Sequence, residues 1–448
     1  MNPPVPYMVS TSYGKEEPLQ EVYMTQSGLD EFAAARDQFD RLATQLGSTV
    51  TMQSTHGEVE KLIWSDGMEI LRRLFQGHLT RRANEEPLLP ELTGADKKVR
   101  NHRRKGCARP LESLFGEVTV QRISYSQRRA ESLFPLDAEL NLPDDQYSDG
   151  LRRRIGVEAA LNSYDVVVTR IGETTGGAVP KSQAEQLLVK LAEDFNEFYE
   201  KKEGQFEPDA LTEVPLIVSL DGKGIVMRPE GLRPSTRKSA EKENHKLKTR
   251  LSKGEKRNRK RMAQVATVYD IERHVRSAED VMGSKEGMKK VKPRPKNKRV
   301  WAGVKQEANE IVEQAIEEAL RRDPERKRPW AILVDGHKQR QAADTCADYL
   351  LNYRDLLNYD EYLEKGLPIA TGVIEGACRH LIKDRMDVTG ARWGLEGADA
   401  ILKLRSLFAS GDFDKYFEFH KEKEQQRLHS NRFQHSIDPF SLLRATAA

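Results

Sequence analysis

Residues 216–227, LIVSLDGKGIVM, set the pair Asp221-Gly222 between two apolar runs, and WAILVDGHKQRQ at 330–341 repeats that arrangement at Asp335. Asp-Gly between apolar runs is a strong hairpin signal, so the first stretch can be explained as two short strands joined by a turn. After Asp335 the chain continues as a polar segment that is predicted to be helical, without a returning strand. Asp335 is therefore expected at the carboxyl end of a buried strand, where open α/β sheets place ligand-binding groups.

The segments around these two stretches predict an α/β fold. LIVSL and GIVM are candidate strands one and two, and AQVATVYDI at 263–271 is a third, rich in β-branched and small residues. A helix is predicted in VKQEANEIVEQAIEEALRR, where apolar residues recur at intervals of three and four, and WAILV is the fourth strand. Further helices follow in TGVIEGACRHLIKDRM and EGADAILKLRSLF. Three strands, a helix, a strand and a helix is the order of a ribonuclease H-like catalytic core.

The rest of the chain is predicted to be mostly helical, in the N-terminal half and at the C-terminus. FGEVTVQRISYS is the exception, because its alternating apolar residues predict a short strand pair. The helices of 150–195 have a helix-turn-helix rhythm, which fits either DNA contact or ordinary packing. Ser148 or Asp149 can cap the first of them, and SQAE at 182–185 predicts a capping box. The predicted regions are a flexible arm (1–28), a helical region (29–99), a small β-containing region (100–145), the helix-turn-helix region (146–207), the ribonuclease H-like core (208–410, with a basic insertion at 233–262) and a C-terminal helix and tail (411–448).

The formal net charge of +3 conceals two basic segments. From Arg233 to Arg261 there are 13 Lys or Arg against 3 Glu, and from Lys285 to Arg299 there are 8 against 1. Their charges of +10 and +7 leave 3 − 17 = −14 for the remainder of the chain. One such run alone is as typical of a solvated loop as of a segment that binds a polyanion. Two runs that flank a predicted strand favour a polyanion partner, because each neutralised phosphate releases condensed counterions.

Hydropathy and cysteine content narrow the class of protein. The chain has no apolar run of about 18 residues that would predict a membrane span, and MNPPVPYMVSTSYGKEE lacks the plan of a secretory signal, so a cytoplasmic location is expected. Cys107, Cys346 and Cys378 are too far apart for a disulfide framework and are expected to be reduced thiols. A zinc site of His337, Cys346, Cys378 and His380 is a rival possibility, although its separations match no standard structural zinc pattern.

A third acid, Glu375, lies in ATGVIEGACRHLIKDR at 370–385. On a helix, Arg379 lies four residues further on and Lys383 eight, so one acid and two phosphate-binding cations are expected on the same side. The same spacing also fits an ordinary ion pair one helical turn apart.

Asp221, Asp335 and Glu375 together suit two hard divalent cations, Mg²⁺ or Mn²⁺, which prefer carboxylate oxygens. Two such ions ~3.5–4 Å apart can activate the attacking oxygen and stabilise the leaving oxygen in phosphoryl transfer. This chemistry needs no nucleophilic side chain, which fits a chain without a recognisable Ser-His-Asp or Cys-His signature. The basic segments would hold a phosphate backbone near the metals.

Five stretches carry a resemblance to a known family: SLFPLDAELNLP, VSLDGKGIVMRPEGLR, KGEKRNRKRMA, WAILVDGH and IATGVIEGACRHLIKDRMDVTGARWGLEGADAILKLRSL. They resemble bacterial insertion-sequence transposases of the ISKra group, which are DDE-class enzymes related to the Mutator-like superfamily. The likeness runs from about residue 60 to 430, and the block at 370–408 is specific enough to name the family on its own.

The resemblance implies Asp221, Asp335 and Glu375 as the first, second and third catalytic, metal-binding acids. It also implies two Mg²⁺ or Mn²⁺ ions, cleavage of double-stranded DNA at the terminal inverted repeats of the element, and strand transfer into target DNA. A homo-multimer on DNA in the nucleoid is expected, because two ends must be brought together. The candidate DNA-binding residues are Lys256, Arg257, Arg259, Lys260, Arg261, Arg379 and Lys383.

The interval between the last two acids departs from the family pattern. Such transposases usually continue after the second acid with a further strand and a long helical insertion, whereas here only 375 − 335 = 40 residues separate Asp335 from Glu375. One alternative is therefore a DNA-binding remnant of a transposase with impaired catalysis. Another is a ribonuclease H-like nuclease that cuts DNA without strand transfer.

Overall fold

The computed structural model describes residues 30–202, 213–242, 251–277, 280, 292–334, 358–388 and 390–434. Within these ranges the chain combines many helices with a small mixed sheet, as predicted for the α/β class. The predicted arm at 1–28, the polar segment that follows Val334, and the tail from 435 onward lie outside the described residues.

Eight strands are present in the described ranges: β1 Leu92–Thr93, β2 Val99–Arg100, β3 His102–Ser113, β4 Gly116–Ser126, β5 Leu216–Val226, β6 Lys260–Asp270, β7 Lys296–Gly303 and β8 Trp330–Val334. The last four form one sheet in the order β7-β6-β5-β8. In this sheet β6 is antiparallel to both of its neighbours, and β8 is parallel to β5. The first four strands form two antiparallel pairs, β1 with β2 and β3 with β4.

The stretch LIVSLDGKGIV forms one strand, β5, so the hairpin predicted at Asp221-Gly222 is wrong. β5 pairs with β6 without interruption over all 11 residues, and Asp221 lies opposite Val265 in the middle of the strand. A two-residue hairpin turn needs positive φ angles, and neither Asp221 nor Gly222 has one. Gly222 instead makes room for the neighbouring strand, because a Cβ there would lie 3.1 Å from the side chain of Met262.

β7 was missed in the sequence, because its first residues belong to the second basic segment. The strand changes from exposed to buried along its length, so only its second half has the apolar character of a core strand. β7 is one of the two edge strands of the described sheet, and α15 (Leu395–Ser410) covers it. The N–H groups of Val300 and Ala302 donate to the hydroxyls of Ser410 at 2.9 Å and Ser406 at 3.2 Å. The helix thereby satisfies backbone groups that a bare edge would expose.

The helices of the described ranges are α1 Ala33–Leu46, α2 Thr49–Met52, α3 His56–Asn84, α4 Pro135–Glu139, α5 Asp149–Leu161, α6 Tyr164–Thr174, α7 Lys181–Leu191, α8 Phe195–Lys201, α9 Pro234–Glu241, α10 Lys253–Arg257, α11 Ala308–Arg322, α12 Tyr359–Glu364, α13 Gly372–Ala377, α14 Asp384–Met386, α15 and α16 Phe413–Glu424. Between α13 and α14 the chain forms a π-helical segment, Cys378–Lys383. The helices predicted in VKQEANEIVEQAIEEALRR, TGVIEGACRHLIKDRM and EGADAILKLRSLF are confirmed as α11, α13 to α14, and α15.

One large hydrophobic core joins the sheet to the helices around it. Ile155 of α5, Val167 of α6 and Leu188 of α7 are fully buried in this core, together with residues of β5, β6, α11 and α15. The helices of the predicted helix-turn-helix region therefore belong to the same core as the sheet, with α5 and α7 packed against α15. DNA contact by this region stays a prediction.

Helix caps bear out one sequence prediction and correct another. The N–H of Leu151 donates to the hydroxyl of Ser148 at 3.4 Å, so Ser148 caps α5 as expected. The capping box predicted in SQAE is wrong, because α7 begins at Lys181 with Pro180 at the N-cap and without a side-chain cap. Ser182 is already inside the helix, where it cannot act as the N-cap residue.

The predicted strand pair in FGEVTVQRISYS is confirmed as the hairpin of β3 and β4, which packs against α3. The side chain of Gln76 in α3 pairs with the backbone of Thr119 in β4, accepting its N–H at 2.8 Å and donating to its carbonyl at 2.9 Å. The helical region predicted at 29–99 includes α3, but three of its apolar residues, Ile63, Leu71 and Leu74, are 41–45% exposed. The apolar residues of this helix are therefore only partly buried.

A buried carboxyl beside this hairpin gives the fold a pH dependence. Glu86 accepts the N–H of Ile123 through Oε2 at 2.8 Å, and within the described ranges its Oε1 has no partner. Burial raises the pKa of Glu86 to about 7, against an ordinary value of 4.5. Since the folded state holds this proton more tightly than the unfolded state, the free energy of unfolding falls as the pH rises from about 4.5 to about 7.

We expect Glu86→Gln to be more stable than the wild type at pH 8, by up to about 3 kcal/mol, and equally stable at pH 4. The glutamine keeps an acceptor for Ile123 and removes the charge that burial disfavours. Thermal unfolding followed by circular dichroism across this pH range is the measurement, with Glu85→Gln on the exposed side of the same helix end as the control. A wild type and variant that respond alike to pH would contradict the prediction.

Candidate active site

The middle of β5 carries Asp221 between two neighbouring strands. On one side Asp221 pairs with Val265 of β6, and on the other side the described pairing of β5 with β8 ends at Leu220 opposite Val334. The apolar halves of β5 are buried, whereas the stretch from Leu220 to Lys223 is half-buried. The strand thus presents a carboxylate at a partly accessible point in an otherwise buried sheet.

Two donors hold the Asp221 carboxylate. The N–H of Gly222 donates to Oδ1 at 2.6 Å, and the thiol of Cys378 donates to Oδ2 at 3.1 Å. Each carboxylate oxygen therefore has one donor, which fixes the orientation of the group while leaving further acceptor capacity on both oxygens.

Glu375 lies on α13, the short helix that leads into Cys378. Ile374 and Ala377 of this helix are buried, and α13 packs against β5 and β6. Glu375 itself is exposed and accepts a hydrogen bond from the hydroxyl of Thr371 at 2.6 Å. It therefore points outward from a helix that is anchored on the strand of Asp221.

Cys378 links the two carboxylates. Burial raises the pKa of its thiol well above the ordinary range, and the hydrogen bond to Asp221 and the negative charges of Asp221 and Glu375 raise it further, while Lys223 opposes them. The thiol is thus a stable proton donor. Glu375 is three residues before Cys378, which on a helix brings their Cβ atoms to about 5–6 Å. The structure therefore places Asp221 on β5 and Glu375 on the helix that packs against it, with the Cys378 thiol near both.

Asp335, the predicted second acid, lies outside the described residues. Its sequence neighbour Val334 is the last residue of β8 and lies opposite Leu220, the residue that precedes Asp221. Among the described residues no three side chains of His, Cys, Asp or Glu are grouped closely enough to hold a metal ion.

The cations predicted beside Glu375 are exposed, but the simple ion pair with Arg379 is not formed. Arg379 lies 3.8 Å from Asp384, five residues further along, and Glu375 is bonded to Thr371 instead. The π-helical geometry of Cys378–Lys383 accounts for this, because its repeat brings residues five apart onto one side. Lys383 is exposed on the same segment.

The structure divides the five candidate DNA-binding residues near the start of β6. Arg257 and Lys260 are exposed and Lys256 is half-buried. Arg259 is only 7% exposed, and Arg261 donates to the carbonyls of Val304 at 2.8 Å and Gly231 at 3.3 Å. Direct phosphate contact is therefore not supported for Arg259 and Arg261, whose side chains belong to the fold.

The rival zinc site is not formed by the members that the structure describes. The thiol of Cys378 is buried against Asp221, whereas His380 is exposed and its Nδ1 lies 3.0 Å from Asp384. His337 and Cys346 lie outside the described residues.

Sequence reasoning missed the part that Cys378 plays at Asp221. Its partner depends on the packing of the helical segment against β5, which the local sequence does not show. Its position three residues after Glu375 was the available indication, since residues three apart share a helix face.

For the Mg²⁺-dependent DNA cleavage that the resemblance implies, we expect Cys378→Ala to raise the Mg²⁺ concentration needed for half-maximal cleavage by roughly two- to tenfold, because Asp221 loses one of its two orienting donors. Cys378→Ser retains a donor and should show a smaller change, and Cys107→Ala, on the separate pair of β3 and β4, should show none. Cleavage rates measured over a Mg²⁺ series test this. Identical Mg²⁺ curves for Cys378→Ala and the wild type would rule out a positioning role for the thiol.

None of the described helices is both long enough and apolar enough to cross a membrane. In comparisons with known proteins, no family model matches the chain, and no curated protein matches it.

Proposed function

We propose that the chain is a DDE-class transposase of an insertion sequence, in which Asp221, Asp335 and Glu375 hold two Mg²⁺ or Mn²⁺ ions on a ribonuclease H-like core. The observation that carries this proposal is the hydrogen bond that the Cys378 thiol donates to the Asp221 carboxylate. Through it, two carboxylates that are 375 − 221 = 154 residues apart in sequence lie in one region, as a shared metal site requires.

The strand arrangement supports the core that the proposal requires. In chain order β5, β6, β7 and β8 are the first to fourth strands of the sheet, and they lie side by side in the order third, second, first, fourth. Each of the first three strands is antiparallel to its neighbour among them, and the fourth is parallel to the first. Asp221 follows Leu220 on the first strand, and Asp335 follows Val334, the partner of Leu220, in the sequence. Since parallel neighbours run in register, we expect the second acid to continue beside the first.

The donor chemistry of the site suits a hard divalent cation. Carboxylate oxygens are the ligands that Mg²⁺ prefers, and the Cys378 thiol is occupied as a donor to Asp221. When bound, the two ions would activate the attacking oxygen and stabilise the leaving oxygen of a phosphodiester. Gly222 and Cys378 orient the first carboxylate, and Thr371 orients the third.

The proposed partner is double-stranded DNA bearing the terminal repeats of the element, bound by a homo-multimer in the bacterial nucleoid. Arg379 and Lys383 are exposed cations on the segment that follows α13, and Arg257 and Lys260 are exposed cations near the start of β6. They would contact backbone phosphates, which position DNA without reading its sequence.

We expect the triple substitution Lys256→Ala, Arg257→Ala and Lys260→Ala to weaken DNA binding and to reduce the slope of log K against log salt by about 2 to 3, because each neutralised phosphate contributes ~0.9 to that slope. Fluorescence anisotropy with a labelled duplex at several salt concentrations measures this. The matched control replaces three exposed cations elsewhere, Arg41, Lys61 and Lys415. Equal slopes for the two triple variants would refute the proposed contact.

A cleavage and joining assay separates the proposed transposase from its alternatives. The short interval before Glu375 favours a DNA-binding remnant as the second candidate. A transposase cuts a duplex that carries the element's ends and joins pre-cut ends to target DNA in Mg²⁺. A nuclease cuts without joining, and a remnant binds in a salt-sensitive way without cutting.

A further inference from the structure

A cavity of about 340 Å³ lies where the end of β5 meets α6, α7 and the start of α15. The N–H of Trp393 donates to the carbonyl of Val226 at 3.1 Å, and the N–H of Arg228 donates to the carbonyl of Trp393 at 2.7 Å. The cavity is thereby tied to the end of β5. Val226 follows Asp221 by 226 − 221 = 5 residues, which at about 3.4 Å per residue is roughly 17 Å from the candidate active site.

Two buried polar groups in the cavity wall have no hydrogen-bond partner in the part of the chain that the structure describes. Arg385 is 2% exposed, and its Nε donates to the carbonyl of Ala159 at 3.0 Å, but its Nη2 has no acceptor. Tyr164 is 9% exposed, and its hydroxyl also lacks a partner. A buried charged N–H without an acceptor is strongly unfavourable, because it has lost its hydrogen bonds to water and gained none in return. An acceptor therefore belongs in the cavity.

The charges around the cavity favour an anion. Its charged lining consists of four cations and two carboxylates, namely Lys181, Arg228, Arg385, Arg392, Asp165 and Glu185. Lys181 pairs with Asp165, at 2.7 and 2.9 Å from the two carboxylate oxygens. The remaining three cations and one carboxylate give a surplus of 3 − 1 = +2.

Two helices also begin at this cavity. α6, of 11 residues, begins at Tyr164, and α15, of 16 residues, begins after Gly394. A Cβ on Gly394 or on Gly397 would meet nothing within 4 Å, so the space beside the first turn of α15 is open. The free N–H groups and the dipole at a helix N-terminus attract negative charge.

From these contacts we infer that the cavity binds a phosphate group. The oxygens of a phosphate accept hydrogen bonds from Nη2 of Arg385 and from the hydroxyl of Tyr164, while Arg228 and Arg392 neutralise its charge at the exposed mouth. In the DNA complex this phosphate belongs to the backbone of the bound strand, and that part of the inference rests on the proposed function. The cavity then fixes the path of the DNA relative to Asp221.

Titration of the full chain with inorganic phosphate tests the site directly. The fluorescence of Trp393, in the cavity wall, should change saturably with a Kd on the order of 1 mM, and Trp393→Phe should abolish the change. Arg385→Lys keeps the positive charge but loses the planar guanidinium group. The double variant Arg228→Ala with Arg392→Ala removes the two exposed cations at the opening of the cavity. Each should weaken phosphate binding at least about tenfold. Arg41→Ala with Lys61→Ala, a charge-matched pair of exposed residues, should not.

The double variant of Arg228 and Arg392 keeps the test valid if Arg385→Lys fails to fold, because both residues are exposed. A wild type without a saturable response, or mouth variants that bind phosphate like the wild type, would overturn the inference, since the cavity would then hold only water.

A second titration with duplex DNA, in the Asp221→Asn background to prevent cleavage, identifies the source of the phosphate. Duplex DNA that displaces inorganic phosphate and binds at least about tenfold more weakly to the mouth variant supports a backbone phosphate. If inorganic phosphate binds but duplex DNA does not compete with it, the phosphate site stands and the claim that a DNA phosphate occupies it is refuted. Because phosphate binding needs no catalysis, a chain that binds phosphate but never cuts DNA would refute the proposed function alone.

Discussion

Asp221→Asn is expected to lower Mg²⁺-dependent DNA cleavage by roughly a thousandfold or more, which corresponds to about 4 kcal/mol of transition-state stabilisation. The substitution keeps the size and hydrogen-bonding reach of the side chain but removes the negative charge that a divalent cation requires. The contacts from Gly222 and Cys378 can persist, so the fold and the binding of duplex DNA should stay within about twofold of the wild type. Cleavage kinetics and anisotropy on the same preparations measure both quantities.

Glu375→Gln should reproduce this loss, because Glu375 is the second described carboxylate at the site, and Asp335→Asn should do the same. Glu396→Gln, an exposed acid on α15 that pairs with Lys305, is the matched control and should retain full activity. If Asp221→Asn cleaves DNA at the wild-type rate, the carboxylate is not a metal ligand. If the wild type itself binds DNA but never cleaves it, the chain is a remnant.

The second large effect is expected at the buried ion pair between Asp270 and Arg328. Both side chains are 2% exposed, with Asp270 Oδ1 2.5 Å from Arg328 Nη2. Asp270 also accepts from the Asn297 amide at 2.7 Å, and Arg328 donates to the carbonyl of Val214 at 3.0 Å. This cluster joins the end of β6 and the start of β7 to the residues that precede β5 and β8, and thereby helps to hold β8 beside β5.

Asp270→Ala should lower the free energy of unfolding by about 3 to 5 kcal/mol, because it leaves a buried guanidinium without its counter-charge. Calorimetry or denaturant unfolding measures the loss. The control is Asp414→Ala, which breaks an exposed pair with Arg153 and should cost less than about 1 kcal/mol. Cleavage should fall as well, since the start of β8 sets the strand that leads to Asp335. A variant as stable as the wild type would contradict the role assigned to this pair.

The sequence predicted the helices better than the strands, and the physical reasons are visible in particular residues. The amphipathic pattern of VKQEANEIVEQAIEEALRR predicts α11, because its buried residues Ile311, Ala315 and Ala319 recur at four. The Asp221-Gly222 pair looks like a turn because glycine is usually chosen for its backbone freedom. In β5 the glycine is required because side chains of β6 occupy the space that a Cβ would need. That requirement depends on the partner strand and cannot be seen in the local sequence.

β7 shows a second limit of the sequence pattern. Lys296, Lys298 and Arg299 look like a continuation of a solvated basic run. Arg299 is instead a packed residue that bonds to Glu318 and lies over the rings of Tyr199, at 3.8 Å, and Trp301, at 4.6 Å. A charged residue whose partners come from α8 and α11 does not differ locally from one that faces solvent.

For the site, the sequence proposed the carboxylates, and the structure supplied the surroundings of Asp221 and Glu375. The positions of Asp221 and Glu375 were chosen by their motifs, but the thiol that connects them follows from the packing of α13 on β5. The burial of Arg385 could not be predicted from the sequence either, because an arginine in a basic helical stretch is expected to face solvent. Long-range packing decides both cases.

The central claim, that Asp221 and Glu375 share a metal site, can be tested by replacing Mg²⁺ with Fe²⁺ and mapping where the bound ion cleaves the protein backbone in the presence of ascorbate and peroxide. Hydroxyl radicals formed at the ion cut only the nearest chain segments, so cuts are predicted close to residues 221 and 375 in the wild type and should disappear in Asp221→Asn. Cuts at only one of these positions, or a pattern that Asp221→Asn leaves unchanged, would contradict the claim.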